Sequence, residues 1–267
     1  MTYRFEDIAK SNVDDLVSIC GNMPGVDKNP HFIAGRAARQ QWVSGMIERF
    51  GTIGVLAYGQ DGQAKGFVEC VPSVAHPLGR HATDPRRTMT IDCAWYRQDP
   101  GLPVRKAVLD HMFSTGWFDK RLDDGCRFVD VLTLKGAPLM QYDFYHEYGF
   151  RDAVELIGPS TSRFLLRFPV KGDVIASSTQ VVDYPSHDRN VLYLGAYDQC
   201  FMPFMVNAKI RDAVKNIDEL SVKEVDYWGT GMPPVSEPYL NGEPAFERFV
   251  FFMDDEQIRE SIRKKMV

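Results

Sequence analysis

Apolar residues repeat with two periods along this chain. Short dense or alternating runs, the mark of strands, occur at Gly51–Tyr58, Gly66–Val71, Thr88–Trp95, Phe128–Leu134, Ala153–Ile157 and Arg163–Phe168. Between them lie segments with helical spacing. Asn12–Cys20 places Val13, Leu16, Val17 and Cys20 on one face behind a candidate cap at Asn12. A longer helix is predicted from Phe32 to Phe50, stopped by Gly51. Another, from Val104 to about Trp117, aligns Val104, Val108, Met112 and Phe113. A short aromatic helix ends in Phe144-Tyr-His-Glu-Tyr-Gly-Phe150. Residues 3–8 can add a first strand, and Gln60-Asp-Gly-Gln63 joins two strands as a hairpin turn. The segments at 21–30 and 72–87 read as loops.

The resulting order is strand, two helices, hairpin, strand–helix–strand, helix, hairpin. A strand–helix–strand unit at 88–134 supplies the crossover that a parallel pair requires. The loop at 98–103 feeds the helix of that unit. Anions settle at such a point because the first N–H groups are unpaired and the helix dipole is positive there. Near Pro169-Val-Lys-Gly-Asp173 the pattern restarts. A strand at Asn190–Gly195, a helix to about Val214, a strand at Leu220–Val225, an Asn241-Gly242 hairpin and a terminal helix follow. The terminal helix carries acids at its start, bases at its end and a stripe of Ile258, Ile262 and Met266. A mixed α/β fold in two units, 1–169 and 170–267, is the expectation.

Charge narrows the partners. Lys and Arg number 31 against 36 Asp and Glu, a net charge of −5, so no broad attraction to nucleic acid or an anionic membrane is expected. No stretch approaches a membrane span, and Met1-Thr-Tyr-Arg-Phe-Glu-Asp7 lacks the apolar core of a secretory signal. Five dispersed cysteines without a C-x-x-C pair give neither a disulfide framework nor a zinc site, and no metal is expected. A reducing cytoplasm is the default compartment, and a homodimer is left open.

Two motifs carry a resemblance to the GNAT acetyltransferase superfamily, which spans residues 3–169 as a pattern. Gln98-Asp-Pro-Gly-Leu-Pro103 resembles the family's Q/R-x-x-G-x-G/A turn around the pyrophosphate of coenzyme A, except that Pro103 replaces the last small residue and has no N–H to donate. Phe144–Phe150 resembles the family's Y-x-x-x-G-F ending. The resemblance implies acetyl-CoA as co-substrate and a small-molecule amine as acceptor. It implies cofactor contacts from the backbone at Ala94, Trp95 and Tyr96, from Gln98, Gly101, Leu102, Pro103 and Val104, and from Arg105. It also implies that Tyr145 protonates the departing thiolate. From its own surroundings Tyr145 also reads as one aromatic of a core helix, and Gly101 as an ordinary loop glycine.

The base that keeps the amine neutral is sought among acids in apolar strands. Glu69 and Asp92 qualify, because a carboxylate there must face a cleft or have a partner. The C-terminal unit is similar to the thioredoxin-like YoaP domain, with Pro234 in the place of the cis-proline. Cys200, at the head of a helix, is then a candidate reactive thiol or a small buried hydrophobe. That leaves an alternative in which Cys200 carries the function and the N-terminal unit only recognises.

Overall fold

The structure, a computed structural model, describes residues 2–20, 30–97, 102–136, 140–157, 162–172, 178–181, 188–196, 200–226, 238–247 and 250–267. Its larger part is built on β1 (Arg4–Asp7), α1 (Val13–Cys20), α2 (Pro30–Phe50), β2 (Gly54–Tyr58) and β3 (Ala64–Pro72). There follow β4 (Thr88–Tyr96), α3 (Leu102–Ser114), β5 (Phe128–Thr133), α4 (Tyr142–Tyr148), β6 (Arg151–Ile157), β7 (Ser162–Pro169) and β8 (Ser178–Val181). The strands form one sheet in the order β1-β2-β3-β4-β5-β7-β6-β8. β4 and β5 run parallel, joined through α3, as the strand–helix–strand pattern predicts.

Side chains alternate across the sheet and so make two cores. Leu56, Phe67 and Val71 pack with α1 and α2. Val55, Val68, Cys70, Met89, Ile91 and Ala94 pack with α3 and α4. Val104, Val108, Leu109 and Met112 of α3 have no exposed surface, and burial of each such side chain contributes roughly 1.5–3 kcal/mol. At the end of α4, Gly149 has φ of +122° and donates to Tyr145 O, while Phe150 N–H donates to the same carbonyl at 3.0 Å. This helix stop explains the glycine of Tyr-x-x-x-Gly-Phe.

Three expectations change. Asn12 does not cap α1. Its Oδ1 accepts from Ala9 N–H at 2.9 Å and its amide donates to Asp7 O at 3.0 Å, which ties the helix entry back to β1. α3 stops at Ser114 rather than Trp117, since Gly116 turns the chain at φ +64°. The first sheet also runs past the expected boundary at 169/170, because β8 pairs in parallel with β6.

The remaining elements are β9 (Val191–Ala196), α5 (Phe201–Val214), β10 (Ser221–Asp226), β11 (Tyr239–Leu240), β12 (Glu243–Pro244) and α6 (Asp255–Lys265). Their sheet has the order β10-β9-β11-β12, with β9 and β10 parallel. Leu192, Leu194, Ile210, Leu240, Ile258 and Ile262 fill its core. Asp254 caps α6 with Gln257 in a reciprocal pair of hydrogen bonds. Pro234 lies outside the described residues. Among the described residues no helix is long and apolar enough to cross a membrane.

Candidate active site

The sheet opens between β4 and β5. Their pairing runs from Thr88↔Phe128 to Ile91↔Val131 and ends there. Beyond Ile91, β4 stays with β3 as far as Tyr96↔Gly66, and β5 stays with β7 as far as Thr133↔Phe164. The two parallel strands therefore part, each held by its outer neighbour. Arg97 N–H donates to Lys65 O, toward β3. By strand alternation the N–H groups of Tyr96 and Ala94 point the other way, into the opening.

A β-bulge marks the place where the strands separate. Glu69 pairs with Cys93 and Cys70 with Ile91, so Asp92 is the extra residue. The bulge turns Asp92 and Cys93 toward the same face of the sheet as Glu69, the face that α1 and α2 cover. Gly66 lets the head of α3 approach at the other end, for a Cβ there would lie 2.7 Å from Val104 Cγ1. Pro103 sits exposed in the first turn of α3, where its ring is tolerated. The free N–H groups at that end are those of Leu102, Val104 and Arg105. Gln98 and Gly101 lie outside the described residues.

Arg105 is 1% exposed although it is a cation. Its guanidinium stacks on Phe144, with Cζ 3.8 Å from the ring centre, and lies near the rings of Tyr96 and Tyr145. Nη2 donates to Gln141 Oε1 at 3.1 Å, Nε is buried without a hydrogen bond, and no carboxylate pairs with it among the described residues. Tyr145 is fully buried beside it, with its hydroxyl directed at Met140 Sδ, 3.9 Å away. Burial raises the Tyr145 pKa well above the usual phenol range, and the Arg105 charge draws it back.

The two candidate bases both prove to be partnered. Glu69 has no exposed surface and is held by Arg39 of α2 through two parallel hydrogen bonds of 3.1 and 2.6 Å. Taken alone it is a paired acid rather than a cleft-facing base. Asp92 Oδ1 meets His76 Nε2 at 3.0 Å, while Oδ2 is buried and makes no hydrogen bond. Burial pushes the Glu69 carboxyl up to about 7, with Arg39 opposing and the Asp92 carboxylate adding to the rise.

Cys200 had two readings, reactive thiol or small hydrophobe. It stands at the head of α5 in N-cap position, yet its thiol is pushed up to about 11 because burial outweighs the neighbouring N–H groups and the Arg39 charge. The raised thiol favours the small-hydrophobe reading of Cys200 over the thiolate one. Cys93 packs against the first core, as expected of a strand cysteine. Sequence reasoning missed Arg39, His76 and Gln141. Arg39 was signalled by its place on the apolar stripe of α2, between buried Gly35 and Val43. His76 and Gln141 carry no local signal.

No protein-family model matches the chain, and no curated protein does. Among solved structures the chain is similar to GNAT acetyltransferases over about 64% of its length. Ard1 from Thermoplasma volcanium is 11% identical, with 64% of this chain and 100% of that chain covered and a TM-score of 0.45. The ribosomal-protein-S18-alanine N-acetyltransferase from Escherichia coli is 11% identical, covering 64% and 96%, with a TM-score of 0.41. A GNAT superfamily phosphinothricin acetyltransferase from Sinorhizobium meliloti, solved in complex with acetyl-CoA, is 12% identical, covering 63% and 89%, with a TM-score of 0.41.

Proposed function

We propose that this protein is an acyl-CoA dependent N-acyltransferase, acetyl in the simplest case, in which an amine attacks the thioester directly in a ternary complex. The observation that carries the reading is the opening between β4 and β5. It starts at Asp92, exposes strand N–H groups at Ala94 and Tyr96, and has the head of α3 and Arg105 at its far end. The strand N–H groups suit the pantetheine amides and the thioester oxygen. The head of α3, with Gln98, Gly101, Leu102, Pro103 and Val104, suits the pyrophosphate. Tyr145 would protonate the leaving thiolate, and the acids at the bulge would take up the amine proton. The C-terminal unit, thioredoxin-like by its resemblance, acts as a cover for the acceptor side through α5.

Titration calorimetry with acetyl-CoA tests the cofactor. Binding is expected in the wild type and is expected to be lost in Gly101→Glu, whose side chain brings a negative charge to the phosphate turn. Release of coenzyme A in the presence of an amine panel tests the reaction. Tyr145→Phe should keep the affinity and lower turnover by about 10²-fold or more. An unchanged rate would remove the proposed acid.

A further inference from the structure

Four ionisable side chains meet beneath α2 and the 73–87 loop, and none of them reaches solvent to any extent. Arg39 is 1% exposed, Glu69 0% and His76 7%, and the Asp92 side chain is 2% exposed. Their hydrogen bonds fix their roles. Both Glu69 oxygens accept from Arg39. His76 Nδ1 accepts the Leu78 N–H at 3.0 Å, so that nitrogen carries no proton and the imidazole is neutral. Its proton is then on Nε2, which donates to Asp92 Oδ1. Asp92 Oδ2 is left buried with no donor.

Among the described residues the charges do not cancel. One guanidinium stands against two carboxylates, with the imidazole neutral. An uncompensated negative charge in this setting is costly, and one proton removes it. Among the described residues no other group facing the cluster changes that balance. Cys20 of α1, Cys93 of β4 and Cys200 at the head of α5 face the cluster, and burial raises all three thiols, which therefore stay neutral. Beyond His76, Asp130 of β5 is already closed in a two-bond pair with Arg167 of β7, at 2.7 Å each.

We propose that Glu69 and Asp92 act as one proton-holding pair, clamped by Arg39 at one end and His76 at the other, and that this pair receives the proton of the acceptor amine. The inference rests on the acyl-transfer reading for its second half only. Asp92 is the bulged residue at the point where β4 leaves β5, so the pair lies at the apex of the opening. In the reaction the amine nitrogen forms its bond to the thioester carbon and the carbon–sulfur bond breaks. Above its midpoint the pair has given up its resting proton, so the nitrogen's proton passes to it, and the thiolate takes a proton from Tyr145, which solvent replaces. The pair then returns its proton to solvent. His76 is a positioning residue, because it holds Asp92 by Oδ1 and leaves Oδ2 without a donor.

Infrared spectroscopy of the resting protein tests the pair without substrate. A protonated-carboxyl band is expected at about pH 5 that disappears with a midpoint near neutrality, far above an ordinary glutamate. Asp92→Asn removes the like charge beside Glu69 and should move that midpoint to lower pH. His76→Leu removes the donor that steadies the Asp92 anion and should move it up, and His76→Gln should restore it. A wild-type band absent at about pH 5, or a midpoint indifferent to Asp92→Asn, overturns the pair. In turnover, the acidic limb of kcat/KM should share the band's midpoint and follow it through the same variants. A limb that does not follow overturns the proton-accepting role. An intact band in a protein that binds no acetyl-CoA leaves the pair standing and removes the acyl-transfer reading instead.

Discussion

Arg105 carries its charge in a place where charge is expensive. Three aromatic rings and one amide oxygen surround it, and Nε has no partner. Such a group gains most from an arriving acceptor, because hydrogen bonds to a charged donor are worth about 1.5–3 kcal/mol. Arg105→Met is therefore expected to weaken acetyl-CoA binding by roughly 10- to 100-fold in calorimetry, with Arg105→Lys in between. Equal affinity in the methionine variant would confine Arg105 to packing α3 on α4. Glu69 makes a different claim on the same scale. Burial raises its carboxyl from the ordinary 4.5 to about 7 on folding, so the folded chain binds a proton that the unfolded chain has released between those values. The stability from this proton is fully present below 4.5 and lost as pH rises through about 7, a loss of roughly 3 kcal/mol at most. Urea unfolding across that window should show wild-type stability falling with pH relative to Glu69→Gln, whose amide does not titrate. Parallel curves for the two proteins would contradict the raised value.

At the scale of elements, the opening depends on how β3 holds α3. A Cβ at Gly66 would come within 2.7 Å of Val104 Cγ1 and 3.0 Å of Trp95 O, so the strand and the helix head are as close as a bare glycine allows. Gly66→Val should displace the head of α3, destabilise the protein by roughly 1–3 kcal/mol in urea unfolding, and weaken acetyl-CoA more than it weakens the fold. The elements themselves were legible in the sequence. Val104, Val108 and Met112 repeat at helical spacing and all are buried, and the stop at Gly149 is written in its neighbours. What was not legible is pairing across the sheet. Glu69 and Arg39 lie 30 residues apart, and Asp92 and His76 16 apart. Periodicity shows which face a residue occupies, but not what waits there from another element. The bulge at Asp92 was hidden for the same reason, since a one-residue slip changes a side chain's face without changing the local pattern. For Cys200 helix position was visible in the sequence and desolvation was not, so both readings stayed open there.

Across the whole molecule, the expected division near residue 170 does not separate two independent cores. α5 belongs in sequence to the C-terminal elements, yet Phe201 and Met205 at its start are buried in the core shared by α1, α2 and β3. The Phe201 ring meets Phe32 edge-on at 5.1 Å, and Gly35 admits it, because a Cβ there would be 3.2 Å from Phe201 Cβ. His31 and Asp212 add a polar contact at 3.3 Å. The same helix head brings Cys200 beside Arg39 and Asp92, so it covers the face on which the acid pair lies. Phe201→Ala should then act on both units at once. Loss of the ring is expected to cost roughly 3 kcal/mol in urea unfolding and to lower the exchange protection of α2 amides, not only of β9 and β10. It should also move the infrared midpoint of the Glu69–Asp92 pair downward, because water reaching the cluster relieves the burial that raises it. A variant that loosens only the C-terminal sheet, with α2 protection and the carboxyl midpoint unchanged, would show that α5 merely rests against the site and does not help to build it.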